Sequence, residues 1–385
     1  MEIMDTPWGE VGLDRYPADQ REQLRAWDAA DAYALAHLAE AGADLGGRVA
    51  VVGDRWGALT TALAAAAPAG QELTQISDSY LGQQATRGNL RRNAPDAAVR
   101  LLSTRDEPPH AVDVLLIRVP KSLALLEDQL HRIAPALGRD TLVLGAGMVS
   151  EIHTSTLRLF ERVLGPTRTS LAVRKARLIH CTPAPGRTRG RNPWPLRYAL
   201  PDGIGVMSGR TVTNHAGVFC ADRLDIGTRF LLAHLPRRSG PDRVVDLGCG
   251  NGVVGTAAAL ANPRSTVLFV DESHQAVASA RATFEENAGP GAAAEFLVGD
   301  ALADAPPASA DLVLNNPPFH SHRATSDAVA RRMFGTARAA LRPGGELWVV
   351  GNRHLGYHVR LRRLFGACEL VASDPKFVLL RAVRD

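Results

Sequence analysis

Lysine is nearly missing from this 385-residue sequence: Lys121, Lys175 and Lys376 stand against 41 arginines. With the many alanines, that imbalance reads as the imprint of a GC-rich genome and not as a function of arginine as a class. Cysteine is scarce too. Cys181, Cys220, Cys249 and Cys368 lie far apart with no Cys-x-x-Cys pair, which excludes a zinc ribbon, a redox pair and a disulfide scaffold. Long apolar runs are absent: the stretch from Ala62 to Ala67 stops at Pro68, far short of the roughly 20 residues of a membrane helix. The opening MEIMDTPWGE has no basic stretch ahead of an apolar one, so a cytoplasmic protein without a secretory signal or membrane partner is expected. A strong charge of one sign is lacking as well, the formal net charge being +4. With 45% hydrophobic and 22% charged residues, the chain is neither disordered, collagen-like nor a coiled coil. Its length favours two domains over one.

What is present is an alternation of short apolar strands and helical patterns. In the second half the strands read RVVDLG (243–248), STVLFVD (265–271), AEFLVGD (294–300), ADLVLNN (310–316), ELWVVGN (346–352) and KFVLLRA (376–382), with helical patterns at 274–287 and 326–341. In the first half they fall at 48–53, 73–77, 112–119, 141–144 and 175–179. Such alternation predicts crossover units and a parallel sheet covered on both faces. The halves also match each other in unchanged order. RVAVVGDRWG (48–57) lines up with RVVDLGCGNG (243–252), Asp78 with Asp271, RVPK (118–121) with NNPPF (315–319), and KARLI (175–179) with KFVLL (376–380). A tandem duplication is expected, with domains at 1–181 and 206–385 and a Pro/Gly/Arg-rich linker at 182–205. From 182 to 243 there are ten arginines and no lysine against four aspartates, a strip suited either to solvent or to a phosphate backbone.

The chemistry concentrates at the ends of strands. Asp246-Leu247-Gly248-Cys249-Gly250-Asn251-Gly252 joins a strand to a helix, where glycines allow a tight turn and free N–H groups face a ligand. Alone it is unspecific, because dinucleotide enzymes use related patterns. Asp271 with Glu272 ends the next strand, where a carboxylate can accept from ribose hydroxyls, and Asp300 with Ala301 ends the third, where an adenine could be met. Asn316-Pro317-Pro318-Phe319 then decides the reading. The prolines stop the strand and fix its backbone. The Asn oxygen and the following carbonyl can hold both N–H bonds of an exocyclic amine, turning its lone pair toward an electrophile, and Phe319 offers a stacking face to an extruded base.

With these motifs the second half resembles a class I S-adenosylmethionine-dependent methyltransferase of the amino-methylating kind. The whole chain resembles the bacterial ribosomal RNA guanine-N2 methyltransferases, which pair a degenerate N-terminal copy with a catalytic one. Segments 214–236, 270–281, 316–320 and 351–366, with 119–130 and 153–179, are most similar to the large-subunit (23S) enzyme of that family. The resemblance implies two tandem Rossmann-like domains, the first degenerate, with S-adenosyl-L-methionine as cofactor and ribosomal RNA, free or in an assembly intermediate, as partner. It places Asp246, Gly248, Cys249, Gly250 and Asn251 around the methionine part, Asp271 and Glu272 at the ribose, Asp300 and Ala301 at the adenine, and Asn316 to Phe319 at the guanine and the cofactor's methyl end. Phe219 and Asp225 would lie near the entrance, and Arg353, His354 and His358 near the RNA. His354 and His358 have a helical metal-ligand spacing, but no third ligand is evident and methyl transfer needs none.

In the first half, GDRWG puts Arg55 and Trp56 where the loop needs bare backbone, and RVPK replaces Asn-Pro-Pro-Phe. Asp78 alone does not make a site. That domain is expected to bind RNA or to support its partner, with Lys121 offering a phosphate-facing charge where the catalytic Asn would stand. Methylation of small-subunit RNA, methylation of protein glutamine or DNA adenine, and a non-catalytic assembly factor stay open at this point.

Overall fold

The computed structural model describes residues 1–18, 24–68, 70–186, 189–318 and 323–385, and divides into two units, Met1–Trp194 and Pro195–Asp385. Each unit holds a mixed sheet of seven strands. In the first these are Arg48–Val52, Glu72–Ser77, Val99–Ser103, Val112–Arg118, Leu137–Met148, Thr167–Thr169 and Ala176–Cys181. In the second they are Arg243–Leu247, Thr266–Asp271, Ala293–Val298, Ala310–Asn315, Leu341–Asn352, Glu369–Ser373 and Phe377–Val383. Numbered within its own unit, each sheet runs 3-2-1-4-5-7-6, with the seventh strand antiparallel to the fifth and sixth. This is the class I methyltransferase topology, present twice. Its reversal of strand order beside strand 1 opens a crevice at the carboxyl edge, between strands 1, 2 and 4.

The central strands are apolar on both faces because helices cover both. Val245, Leu247 and Val313 pack under helix Arg323–Ala340, while Val244, Leu312 and Phe269 face the opposite layer. Fully burying each such side chain contributes about 1.5–3 kcal/mol. The helices that follow the second strands start at equivalent serines. Ser79 caps Tyr80–Asn93 by accepting from the Gly82 N–H, and Ser273 caps His274–Asn287 by accepting from the Ala276 N–H.

The first forty residues, which carried no pattern in sequence, form a hairpin, Glu2–Thr6 with Gly9–Leu13, and the helix Ala29–Glu40. Residues 196–199, assigned to the linker by composition, form a strand that pairs with Thr211–Asn214. The two hairpins are anchored alike. Asn93 donates from Nδ2 to the Gly12 carbonyl and the Asn89 carbonyl, and Asn287 donates to the Thr211 carbonyl and the Thr283 carbonyl. Repetition therefore extends beyond the sheets to both edge hairpins.

Candidate active site

At the carboxyl end of strand Arg243–Leu247 the chain folds back over strand Thr266–Asp271: the Gly248 and Cys249 N–H groups donate to the Val270 carbonyl at 2.8 and 3.0 Å. Gly250 has φ +52°, and a Cβ placed there would meet nothing within 4 Å, so the loop leaves open space above bare backbone. Gly252 serves packing instead. It starts helix Val253–Ala261 at φ +77°, and a Cβ there would lie 2.6 Å from Cα of Ala280. Asp271 ties strand and loop together: Oδ2 accepts from the Gly250 N–H and Oδ1 from the Ser273 N–H, both at 3.0 Å. Glu272 beside it is exposed.

Asp246 is 3% exposed and turns inward, its Oδ2 accepting from the Gly255 N–H at 2.8 Å in the first turn of the helix. Burial pushes its carboxyl up to about 8; the Gly255 bond opposes the rise and Asp271 adds to it. Burial likewise raises the Cys249 thiol well above its ordinary range, with Asp271 and Asp246 contributing, which makes it a poor nucleophile. Asn251 donates from Nδ2 to Oδ1 of Asn214 at 3.0 Å, fastening the loop to the segment before the helix Ile226–Ala233. Asp300, at the end of the third strand, is buried and engaged by the guanidinium of Arg332, and Ala301 next to it takes a left-handed φ of +49°.

The fourth strand ends in two asparagines with different tasks. Asn315 is fully buried and donates to the Leu247 carbonyl at 2.7 Å, locking strands 1 and 4 together at the crevice. Asn316 is half-buried and faces the other way, donating from Nδ2 to Thr228 Oγ1 at 2.9 Å and to Asp225 Oδ2 at 3.2 Å. Its Oδ1 is shielded from solvent and has no hydrogen-bond partner among the described residues, an acceptor left for something to donate to. Asp225 caps helix Ile226–Ala233 by accepting from the Thr228 N–H at 2.8 Å. Pro317 is buried and Pro318 exposed. Phe319 lies outside the described residues.

The structure thus joins Asp246, Gly248, Cys249, Gly250, Asn251 and Asp271 at one loop, and Asp225 to Asn316 at the neighbouring strand end. Phe219 is 53% exposed in the loop ahead of Asp225. Arg353 and His354 are exposed on the turn after the fifth strand, where Arg353 donates to the Asp374 carbonyl at 3.0 Å. Thr228, Asn315 and Arg332 were not singled out in sequence. Only Thr228 had a local signal, the Asp-x-x-Thr spacing of a helix start. Among the described residues no group of three or more His, Cys, Asp or Glu side chains could hold a metal.

The first unit corrects two sequence alignments. Val49 pairs with Leu73 and Val114, as Val244 pairs with Val267 and Leu312. Counting along these registers, Ser77 stands where Asp271 stands, and Asp78 falls one position beyond. Ser77 Oγ accepts from the Ser79 N–H at 3.2 Å, as Asp271 accepts from Ser273. Likewise Arg118 stands where Asn316 stands, so the exposed Lys121 lies three positions past the asparagine place and not in it. The duplication had been slid by a residue or more because prolines and aspartates, not strand pairing, set the alignment.

Arg118 has no exposed side-chain surface. Its Nε donates to Asp31 at 2.8 Å, one terminal nitrogen to Asp28 at 2.5 Å, and the other to Glu151 at 3.3 Å and the Ala146 carbonyl at 3.1 Å. Arg55, in the place of Gly250, donates to Glu151 at 2.5 Å and Asp28 at 3.2 Å. Asp28 caps its helix as Asp225 does, and Asp31 sits three residues on, as Thr228 does. Burial pushes the Asp31 carboxyl up to about 6, although Arg118 pulls it down. Ion pairs thus occupy the positions that are open or polar in the second unit.

Comparison with known proteins accords with this layout. A family model described as "RLMG N-terminal domain" matches residues 1–185, and "Methyltransferase small domain" matches residues 209–381. The chain is 70% identical over 382 residues to a Streptomyces avermitilis protein named "Ribosomal RNA large subunit methyltransferase G", covering 99% of each. It is 46% identical over 385 residues to the protein of that name from Stutzerimonas stutzeri, covering all of both chains. Among solved structures, a T. thermophilus 16S rRNA N2 G1207 methyltransferase in complex with AdoMet and guanosine matches with TM-score 0.75 at 20% identity, over 100% of this chain and 98% of that one, a likeness of fold.

Proposed function

The chain belongs to the ribosomal RNA large subunit methyltransferase G family, and from that premise we propose that it transfers a methyl group from S-adenosylmethionine to the exocyclic N2 amine of a guanine in 23S ribosomal RNA. The observation that carries the chemistry is Asn316: its amide nitrogen is committed to Asp225 and Thr228, while its buried oxygen has no partner among the described residues. A guanine amine donating to that oxygen and to the following carbonyl has both N–H bonds held, so its lone pair points at the incoming methyl carbon. The fit of the cofactor rests on the bare backbone at Gly250 and the Asp271 carboxylate beside it. Gly248 to Asn251 would border the methionine part, Asp271 and Glu272 the ribose, and Asp300 with Ala301 the adenine, where an amino group shares the carboxylate with Arg332.

Held at Gly248 to Asn251 and Asp271, S-adenosylmethionine would supply a methyl carbon on sulfonium, the C–S electron pair staying with sulfur as N2 takes the carbon. Asn316 holds the nitrogen in line during this exchange. The proton it grips becomes acidic only as the methyl group arrives and then passes to solvent, so no side chain of tuned pKa is needed. Pro317 and Pro318 keep the strand end from moving aside. Phe319 is proposed as the surface on which the extruded base stacks. Extrusion is least costly for an unpaired base. The first unit, its crevice closed by Arg118, is proposed to hold RNA.

The deciding experiment maps N2-methylguanosine by mass spectrometry in 23S RNA from a deletion strain, then after treating that RNA with purified protein and S-adenosylmethionine. A single guanine unmodified in the deletion strain and modified in vitro is the expected result. Modification of 16S RNA instead, or none, refutes the assignment.

A further inference from the structure

The hairpin that closes the first unit's sheet is built against its own backbone preference. Val173 and Ala176 exchange both backbone hydrogen bonds, at 2.9 and 2.8 Å, leaving a loop of two residues, Arg174 and Lys175. These have φ +47° and +65°, the pair of left-handed conformations of a type I′ turn. Asn-Gly is the natural filling for that turn, and long side chains there are strained. The equivalent turn of the second unit avoids the conflict: Asp374 and Pro375 lead into it, and Asp374 Oδ1 accepts from the N–H groups of Lys376 and Phe377. No non-glycine residue there has a positive φ.

The strained tip is also exposed and uncompensated in charge. Arg168, Arg174 and Lys175 are exposed, and none has a carboxylate within ion-pair distance among the described residues. Leu171 is 87% and Val173 44% exposed beside them. The charge imbalance reaches beyond the turn. Residues 162–201 carry nine cations and no Asp or Glu, so the rest of the chain has a net charge of −5 although the whole is at +4. One of the three lysines in the chain is spent at this tip.

A cationic pair kept where the fold prefers Asn-Gly is there for something other than the fold. We infer that the tip Leu171–Lys175 is an RNA-binding element of the first unit, with Arg174 and Lys175 on backbone phosphates and Leu171 against an exposed base or sugar. This rests on the RNA-methylating reading above. RNA is preferred to a protein partner because the tip offers cations without a single carboxylate, which suits a polyanion and gives no reciprocal pairing to a mixed protein surface.

Replacing Arg174-Lys175 by Asn-Gly separates binding from folding, since it improves the turn while removing the charge. The double variant is expected to melt at or above the parent temperature and to bind S-adenosylmethionine as the parent does. Its affinity for protein-free 23S RNA should fall several-fold, and the log–log salt slope should shrink by about 1.4, or about 0.7 per lost phosphate contact. Leu171→Ala should weaken RNA binding and leave the slope unchanged. An unaltered affinity and slope in the Asn-Gly variant overturns the inference. So does a defect seen only on ribosomal particles, which would assign the tip to a ribosomal protein. If the parent itself neither binds nor methylates 23S RNA, the functional reading fails; if the parent does both and the variant equals it, only the tip's role fails.

Discussion

Arg118 occupies in the first unit the position that Asn316 occupies in the second, and each is held by the same two places on a helix start. Asn316 donates to Asp225 and Thr228; Arg118 donates to Asp28 and Asp31. Replacing an amide and a hydroxyl by a guanidinium and a second carboxylate turns a receptive site into a filled one. Such a buried network is favourable only while every charge is paired.

Asn316→Ala is expected to lower kcat by about 10²–10³-fold, the scale of losing one oriented polar group at reacting atoms, with cofactor affinity little changed. Asp225→Ser tests how the amide is aimed, because serine still caps the helix but is too short to reach Asn316. Its kcat should fall about tenfold at unchanged KM for S-adenosylmethionine, and Asp225→Asn should recover most of it. Single-turnover methylation of 23S RNA measures all three, and full turnover in Asp225→Ser would remove the positioning role.

Asp271→Ala should act on the cofactor instead. A hydrogen bond to a charged group is worth roughly 1.5–3 kcal/mol, which is about ten- to a hundredfold in affinity. Titration calorimetry that finds equal affinity in parent and variant takes Asp271 out of the site.

Calorimetry should also count one S-adenosylmethionine per chain. Ser77 stands where the second unit has Asp271, Arg55 where Gly250 leaves space, and Arg118 where Asn316 stands. Arg118→Met would not restore a site; it leaves the buried Asp31 without its cation and Asp28 and Glu151 with Arg55 alone, and should cost about 3–5 kcal/mol of first-unit stability in urea denaturation. A stoichiometry near two, or a variant as stable as the parent, contradicts this account.

The Asp246 carboxyl gives a pH dependence of definite sign. Its folded pKa of about 8 lies above the unfolded value near 3.8, so the folded state holds the proton more tightly. Its contribution to stability is complete below about pH 4 and is lost as pH rises toward and through 8. Asp246→Asn keeps an oxygen for the Gly255 N–H and cannot ionise. The difference in unfolding free energy between variant and parent should therefore grow in the variant's favour from pH 5 to pH 9. A constant difference across that range would show that Asp246 does not titrate there.

Much of this was legible in the chain itself. The glycine loop, the acidic strand ends and Asn-Pro-Pro mark their positions by composition, and the order of strands survives duplication. The helix 274–287 is legible from its helical pattern. Register was not legible, because pairing is decided between strands and leaves no trace along one. Hence composition alone puts Asp78 in the place of Ser77 and Lys121 in that of Arg118. The short strands Val99–Ser103, Thr167–Thr169 and Glu369–Ser373 escaped for another reason: they are partly exposed edges with little apolar alternation. Arg332 leaves no local trace because its partner Asp300 is distant in sequence, and the helix-start spacing of Thr228 gives no sign of its bond to Asn316.

The asparagine-anchored hairpins set the limits of what was copied. Each precedes its sheet in the chain, ending at Leu13 before Arg48 in one unit and at Asn214 before Arg243 in the other, and is fixed by the helix after the second strand, through Asn93 and Asn287. A cut between Trp194 and Pro195 therefore leaves every sheet with its own hairpin and its own anchor. The repeated module is thus sheet, hairpin and asparagine together, and its two copies part company at the strand end where one holds Asn316 and the other Arg118.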